Sequence, residues 1–116
     1  MKIVRADRCD RMVADWGELT FFASRKLGNS DQVTVGRCVI RPGSSNPRHS
    51  HPNSEELLTV ARGAILHSAE DGDVRLEAGD TITIPVGLPH RALNVGTEDA
   101  VLWVVFPTAD RQVQGE

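Results

Sequence analysis

Apolar residues recur along the chain in short runs, and none of these runs has the spacing of an amphipathic helix. Gly, Pro, Asn and Asp separate the runs. This pattern is typical of an all-β sandwich or barrel. A short helical turn is expected around residues 8–15. Strands are expected near residues 2–5, 19–24, 32–41, 47–51, 55–61, 64–70, 73–76, 80–84, 89–95 and 99–106.

The residues between the runs have the chemistry of turns. An Asp-Gly pair at residues 71–72 suits a hairpin, because it tolerates the positive φ angles that such turns need. The sequence PVGLP at 85–89 is too rich in Pro and Gly for a central strand. The last run, AVLWVVF, is almost entirely apolar, so we expect both of its faces to be covered. The polar residues that follow Pro107 predict a frayed tail.

Length and composition fit one ordinary globular domain. The chain has 116 residues, of which 40% are hydrophobic and 25% are charged. We expect a single domain over residues 1–116, with a core at about 19–106, a short N-terminal arm and a polar C-terminal tail at 107–116. The net charge of −3 gives no electrostatic footprint for a nucleic acid or an anionic membrane.

The chain shows no targeting or membrane-spanning signal. No apolar run approaches the roughly 20 residues of a membrane helix, and the sequence MKIVRADRCD lacks the apolar region of a signal peptide. We therefore expect a cytoplasmic protein. In that compartment Cys9 and Cys38 are expected to remain thiols, since cytoplasmic disulfides are rare.

Three histidines and a glutamate have the spacing of a metal site. His49 and His51 are two residues apart, so on a strand their side chains share a face. Glu56 has an odd offset from them, but a turn at residues 52–54 can bring it alongside from the next strand. His90 follows the PVGLP turn and opens another strand. Three imidazoles and a carboxylate suit a first-row divalent ion, either in a closed tetrahedron or in an octahedron with two open positions.

The spacing of these residues resembles the two sequence motifs of the cupin superfamily. Residues 43–63 match G(X)5HXH(X)4E(X)6G at every defined position, and residues 79–94 match G(X)5PXG(X)2H(X)3N equally well. The resemblance implies a small single-domain cupin, an all-β double-stranded β-helix or jelly-roll barrel. It also implies one divalent transition metal per chain, without distinguishing Fe, Mn, Ni, Cu, Co or Zn. The implied ligands are His49, His51, Glu56 and His90.

The resemblance also implies roles for other motif residues. Gly63, Gly79 and Gly87 are expected to allow bends or positive φ angles at barrel corners. Asn94 is expected to have a structural role or to form hydrogen bonds around the metal ligands. Glu55 is expected to face away from Glu56 by strand alternation.

Several residues outside the motifs are candidates for the pocket. His67 would be a general acid or base if its strand face points inward, although a histidine with satisfied hydrogen bonds or a surface histidine is the favoured alternative. Arg37 and Arg41 would bind an anionic substrate if they face inward, although a solvated face is favoured. Trp103 is expected either to line the pocket or to pack in the core. Aromatic residues expected in the core or at an interface are Trp16, Phe21 and Phe22.

The sequence leaves three classes of function open. The favoured one is a metal-dependent dioxygenase-type oxidoreductase, since the ligand set resembles that of quercetinase-like cupins. The alternatives are a non-redox isomerase, epimerase or lyase on a small oxygen-rich molecule, and a non-enzymatic small-molecule-binding cupin. The expected partner is a small-molecule substrate or ligand, with no nucleic acid and no membrane. A homodimer is also expected, with the apolar run 19–24 as an edge strand.

Overall fold

The computed structural model describes residues 1–115, and its regular secondary structure is almost entirely antiparallel strand. A 3₁₀ turn (Ala6–Arg8) precedes the first strand. The strands in the described part of the chain are β1 (Asp10–Ala14), β2 (Gly17–Ala23), β3 (Thr34–Ile40), β4 (Glu56–Arg62), β5 (Ala64–Ala69), β6 (Gly72–Glu77), β7 (Thr81–Ile84), β8 (His90–Asn94) and β9 (Ala100–Phe106).

The strands form two sheets, which confirms the all-β jelly-roll prediction. One sheet has six strands in the order β1-β2-β3-β9-β4-β7, and the other has three in the order β6-β5-β8. Strands that are neighbours in space are often distant in sequence, as in the pairing of β3 with β9. The chain therefore crosses repeatedly between the two sheets, whose inner faces enclose the core.

Strand alternation places the core between the sheets. Along β9, Leu102 and Phe106 point inward and are buried, whereas Trp103 and Val105 point outward and are 39% and 37% exposed. The expectation that both faces of this run are covered is therefore wrong, because no layer of the described chain lies over the outer face of the six-stranded sheet. Other fully buried side chains are Ile40, Val60, Ile65 and Ile84.

Three local predictions differ from the structure. Residues 10–14 form strand β1 rather than a helical turn, since they pair with β2 across a tight turn at 15–16. Residues 2–5 form no strand. Residues 47–51 form only isolated bridges, because Pro47 and Pro52 cannot donate to a ladder.

The run 19–24 is also not an edge strand. It lies in β2, which is hydrogen-bonded to β1 on one side and to β3 on the other. The edges of this sheet are β1 and β7. This pairing was not predicted, because the charged residues of β1 do not give it the sequence pattern of a strand.

The prediction of a frayed tail is wrong for residues 109–114. Ala109 is buried, and its carbonyl accepts a hydrogen bond from the Arg25 amide. Gln114 exchanges two backbone hydrogen bonds with Ser50. Residues 108–114, here called the C-terminal segment, therefore pack against the loop between β3 and β4. Polar composition did not reveal this because the contacts are made largely by the backbone.

Gly63 joins β4 to β5 with φ at +82°, and a Cβ atom there would lie 3.1 Å from the backbone of Ala100 and Asp99, so glycine is required.

Both Cys9 and Cys38 are present as thiols. Within the described residues, no helix has the length and apolar character needed to span a bilayer.

Candidate metal centre

The four predicted ligands lie together at one end of the barrel. His49 and His51 come from the loop between β3 and β4, while Glu56 and His90 are the first residues of β4 and β8. One donor atom from each residue lies within 4.8 Å of the others. All four side chains are buried, at 3–7% exposure. The cluster could hold one metal ion.

Backbone pairing places these side chains side by side. His49 and His90 face each other in an antiparallel bridge. The amide nitrogen of each residue lies 3.0 Å (His49) or 2.8 Å (His90) from the carbonyl oxygen of the other. The carbonyl of His51 accepts a hydrogen bond from the Gly87 amide at 2.9 Å. Gly87 has φ at +76°, a conformation that glycine adopts without strain. The turn of the second motif thereby fixes the loop of the first.

Backbone carbonyls orient all three imidazole rings. Each ring places Nδ1 within hydrogen-bond distance of a carbonyl oxygen, which can only accept, so Nδ1 carries the proton. Neutral rings then present the lone pair of Nε2 to the cluster, as metal coordination requires. The pairs are His49 with Pro47 at 2.7 Å, His51 with Gln112 at 2.8 Å and His90 with Leu88 at 2.8 Å.

The position of Glu56 fits a bound cation. Its Oε1 lies 3.1 Å from Nε2 of His90 and 3.2 Å from Nε2 of His51. Within the described residues, Nε2 of His51 is buried and forms no hydrogen bond of acceptable geometry despite this distance. Lone pairs on two nitrogens and a carboxylate oxygen repel one another unless a proton or a metal ion lies between them. The donor set and its geometry therefore fit a metal ion.

Charge in the cluster follows from these contacts. Burial alone would raise the pKa of Glu56, but contacts with His51 and His90 outweigh it and lower this pKa to about 2. Burial lowers the pKa of His90, but the Glu56 carboxylate and the Leu88 carbonyl together outweigh it and the pKa is raised. The carboxylate is thus ionised at any pH near neutrality and attracts positive charge into the cluster.

A small cavity of about 30 Å³ adjoins the ligands. That volume holds little more than one or two waters. Beside His49, His51 and Glu56, its polar side chains are Asn46 and Arg111. Its other lining residues are Trp16, Leu19, Phe21, Cys38, Leu58, Leu102, Val104 and Phe106. The centre therefore lies among mainly apolar walls.

His67 is buried beside the ligands but is not one of them. Its ring stacks on His90 with centroids 5.4 Å apart, and its Nε2 has no hydrogen-bond partner in the described part of the chain. It lines a separate cavity of about 220 Å³ that Asp71 and Leu88 also border. Burial lowers the pKa of His67, which favours the neutral ring. Its role as an acid or base stays a prediction.

Three sequence candidates for the pocket lie outside it. Arg37 points to the outer face of β3, where its guanidinium lies 5.3 Å from the Phe22 ring and 5.9 Å from that of Trp103. Arg41 is exposed at the end of the same strand. The pocket assignments of Arg37, Arg41 and Trp103 are therefore wrong, since strand parity turns their side chains away from the interior.

Asn94 was expected either to have a structural role or to form hydrogen bonds around the metal ligands, and its contacts fit the structural role. Its Nδ2 donates to the carbonyls of Ile40 and Glu98, both at 2.8 Å, and its Oδ1 accepts from the Gly96 amide. These bonds tie the end of β8 to β3 and to the loop before β9. Glu55, in contrast, is exposed as predicted and leaves Glu56 as the inward carboxylate.

Sequence reasoning missed what the C-terminal segment contributes. The carbonyl of Gln112 orients His51, and Arg111 brings a guanidinium to the cavity. A backbone carbonyl has no sequence signal, because any residue could supply it. Arg111 is a single arginine in a polar stretch, and nothing in its neighbours distinguishes it from a solvated residue.

Comparison with known proteins agrees with this geometry. The family model described as the cupin domain matches residues 36–106, more than half of the chain. An oxalate oxidase of Triticum aestivum is 36% identical over 105 residues, covering 84% of this chain and 43% of that protein. A germin-like protein of Morus alba is 30% identical over 87 residues, covering 71% and 42%. The chain thus spans less than half the length of these curated relatives.

The fold also matches a solved structure of oxalate decarboxylase from Bacillus subtilis. The TM-score is 0.85, with 20% sequence identity, and the match covers 91% of this chain and 29% of that one. At this identity the likeness concerns the fold. It places the described strands on a known two-sheet jelly-roll architecture.

Proposed function

This chain belongs to the cupin family, and we propose that it is a metal-dependent oxidoreductase of the dioxygenase type that acts on a small oxygen-rich acid. One observation carries this proposal. Four buried donors, three of them imidazoles with Nε2 turned inward, converge beside a small and mainly apolar cavity. Such a site suits a metal ion that a small substrate can reach.

The chain's own residues hold the centre ready for a metal. The carbonyls of Pro47, Leu88 and Gln112 keep one imidazole proton on Nδ1, so each neutral ring has a lone pair on Nε2 for coordination. The Glu56 carboxylate offsets part of the ion's charge. A bound first-row ion would supply open coordination positions and, for Fe, Mn or Cu, a change of oxidation state.

The cavity walls favour chemistry away from bulk water. Leu58, Leu102, Val104 and Phe106 surround the space beside the ligands. Apolar walls lower the local dielectric and strengthen the attraction between the centre and an anionic substrate.

The substrate class is proposed from the relatives' names. The oxalate oxidase that is 36% identical is named for a two-carbon diacid. The small cavity excludes large ligands, so small acids are the first substrate class to assay. Because this chain spans less than half of that protein, the activity of the whole relative is a starting hypothesis for the assay.

Oxygen consumption tests the proposal. The protein loaded in turn with Fe(II), Mn(II), Co(II), Ni(II), Cu(II) or Zn(II) is mixed with oxalate and other small acids in an oxygen-electrode cell. We expect O₂ uptake that depends on one metal and on the acid, and that is lost in the His51→Ala variant. Turnover that continues without O₂ would assign the isomerase or lyase class. Metal-dependent binding without turnover with any acid would assign a binding module.

We also propose that the chain forms a homodimer. The support is the outer face of the six-stranded sheet, where Trp103 and Val105 remain exposed beside Phe22. Light scattering of the purified protein should give about twice the chain mass of 12.7 kDa, and the Trp103→Lys substitution should halve it. A monomer mass for the unmodified protein would contradict the dimer.

A further inference from the structure

A second cavity opens between the edges of the two sheets. β7 is the last strand of the six-stranded sheet, and β6 is the last strand of the three-stranded sheet. The space between these two strands forms a cavity of about 220 Å³, which His67 on β5 also borders. Among the described residues around it, none is one of the four metal ligands. The cavity is therefore separate from the space beside the metal centre.

The walls of this cavity are mainly apolar. Val74 pairs with the buried His67, yet its own side chain is 43% exposed because β6 is an edge strand. An apolar cavity of roughly 150 Å³ holds one benzene ring. A cavity of about 220 Å³ therefore has room for a ring that carries polar groups. The apolar residues around the cavity are Ala69, Val74, Ile82, Ile84, Pro85 and Leu88.

His67 brings a buried polar group to this cavity. The residue is 2% exposed, and its Nε2 has no hydrogen-bond partner among the described residues. The ring of His90 covers one face of the imidazole. On the two neighbouring strands, His67 pairs with Val74 and Ala92, which have no polar side-chain atoms. A ligand in the cavity would supply the missing partner, and pairing a buried nitrogen is favourable.

The mouth of the cavity is acidic. The exposed Asp71 and Asp73 border it, from the turn between β5 and β6 and from β6 itself. In the part of the chain that the structure describes, neither carboxylate forms an ion pair, and no lysine or arginine borders the cavity. Burial lowers the pKa of His67 and the Asp71 carboxylate acts in the opposite direction, so Asp71 lies within electrostatic reach of the ring. The mouth therefore attracts a cation and repels an acid.

These features define the chemistry of a matching ligand. A neutral imidazole nitrogen either donates or accepts a hydrogen bond, and a hydroxyl group can pair with it in both cases. A rigid ring buries apolar surface against the walls and has little conformational freedom to lose. An ammonium group at the opposite end of the ligand would meet the carboxylates at the mouth.

We propose that this cavity is a second binding site, and that it takes a small phenolic amine. The ring of the ligand lies among the apolar walls, and its hydroxyl group pairs with Nε2 of His67. Its ammonium group lies beside Asp71 and Asp73. The site goes beyond the proposed function, since it uses no metal ligand and repels the small acids expected at the metal centre.

Calorimetric titration with tyramine tests the site. Tyramine carries a hydroxyl and an ammonium group at opposite ends of a ring, phenethylamine lacks the hydroxyl group, and 4-ethylphenol lacks the ammonium group. We expect phenethylamine to bind about fivefold and 4-ethylphenol about threefold more weakly than tyramine. The acid 3-(4-hydroxyphenyl)propionate should bind at least about tenfold more weakly than tyramine. No tyramine binding at millimolar concentrations would overturn the inference.

Two substitutions assign the contacts. In His67→Leu, tyramine should lose its advantage over phenethylamine, because the partner of the hydroxyl group is gone. In Asp71→Asn, the advantage of tyramine over 4-ethylphenol should shrink. Asp99→Asn is the matched control, since it changes an exposed carboxylate away from the cavity and should leave both preferences unchanged. An unchanged preference in either cavity variant would overturn the inference.

A third variant decides if His67→Leu does not fold. Val74→Trp fills the cavity from an exposed edge position, so it should weaken tyramine binding by at least about tenfold. Unchanged tyramine binding in this variant would overturn the site. Tyramine should also bind equally well to metal-loaded and chelator-treated protein, and a dependence on metal loading would overturn a separate site. Tyramine binding without O₂ uptake on small acids would defeat the proposed function and leave this inference standing.

Discussion

Two stretches of chain contribute to the metal centre in different ways. The loop and strand start at residues 49–56 supply three of the four donors. The C-terminal segment supplies no donor, but its Gln112 carbonyl orients His51 and its Arg111 reaches the cavity. The motifs thus supply the donors and the carbonyls that orient His49 and His90, whereas the carbonyl that orients His51 and the Arg111 side chain come from chain that lies far away in the sequence.

Removing a donor should have the largest effect. His51→Ala and His90→Ala each delete one coordinating nitrogen, and we expect metal affinity to fall by at least about a hundredfold. Competition with a chelator, followed by elemental analysis, measures it. His67→Gln is the matched control, because this buried histidine lies beside His90 but outside the cluster. Full occupancy in both alanine variants would remove the ligand assignment.

Releasing the C-terminal segment should have a smaller effect. Asn53→Ala removes the two bonds to Asp110 and Gln112, so His51 loses a fixed acceptor for its Nδ1 proton. We expect metal affinity to fall about tenfold in the same chelator competition.

A second asparagine provides the control for this change. Asn29 makes the same kind of bonds, to the backbone of Phe22 and Ser24, away from the metal. Asn29→Ala and Asn53→Ala should each lower the free energy of unfolding by about 1 kcal/mol. Asn29→Ala should leave metal affinity unchanged. Equal metal loss in both variants would show that the C-terminal segment has no special role at the metal.

The pH dependence of stability should separate the metal-bound from the metal-free centre. Glu56 has a pKa lowered from 4.5 to about 2, so its contribution is present above pH 4.5 and is lost as pH falls toward 2. His90 has a raised pKa, so its contribution is present below pH 6.5 and is lost as pH rises through the raised value. Without metal, the pair therefore stabilises the fold most between about pH 4.5 and 6.5.

The stability that a bound metal adds should instead increase with pH, because the metal binds imidazoles that have no proton on Nε2. The metal should raise the melting temperature most above pH 6.5 and progressively less as pH falls to 5. Melting curves from pH 5 to 8, recorded with metal and with chelator, measure the difference. A metal-induced shift that stays constant over this range would contradict imidazole coordination.

Substitutions on the outer face should have the smallest effects. Arg41→Gln changes an exposed residue and should alter the free energy of unfolding by less than about 0.5 kcal/mol. Arg37→Gln loses contacts with two rings and should cost about 0.5–1 kcal/mol. Neither should change metal affinity or metal-dependent O₂ uptake with small acids. A loss of that O₂ uptake in either variant would restore the sequence-based pocket assignment.

The fold and the ligand set could be predicted because both depend on local patterns. Alternation and turn residues marked most strands, and the spacing of His49, His51, Glu56 and His90 followed the cupin motifs. Strand β1 was missed because its sequence, DRMVA, carries two charges and has no clear alternation. It forms a strand because it pairs with the edge of β2, which is a tertiary effect.

The contents of the pocket could not be predicted, since they depend on which face of each strand points inward. Arg37 and Trp103 belong to strands that were predicted correctly, yet parity relative to the core places both outside. The importance of Arg111 arises only when residues 109–114 dock on the metal loop. That docking uses backbone groups and Asn53, whose side chain gives no sign of its distant partners.

Metal analysis of the freshly purified protein, combined with X-ray absorption at the edge of the metal found, tests the central claim most directly. We expect about one first-row metal ion per chain, with three imidazole nitrogens and one carboxylate oxygen at roughly 2.0–2.2 Å. In His90→Ala the ion should be absent or bound by only two imidazoles. A protein that takes up no metal, or an ion whose imidazole signal is unchanged in His90→Ala, would contradict it.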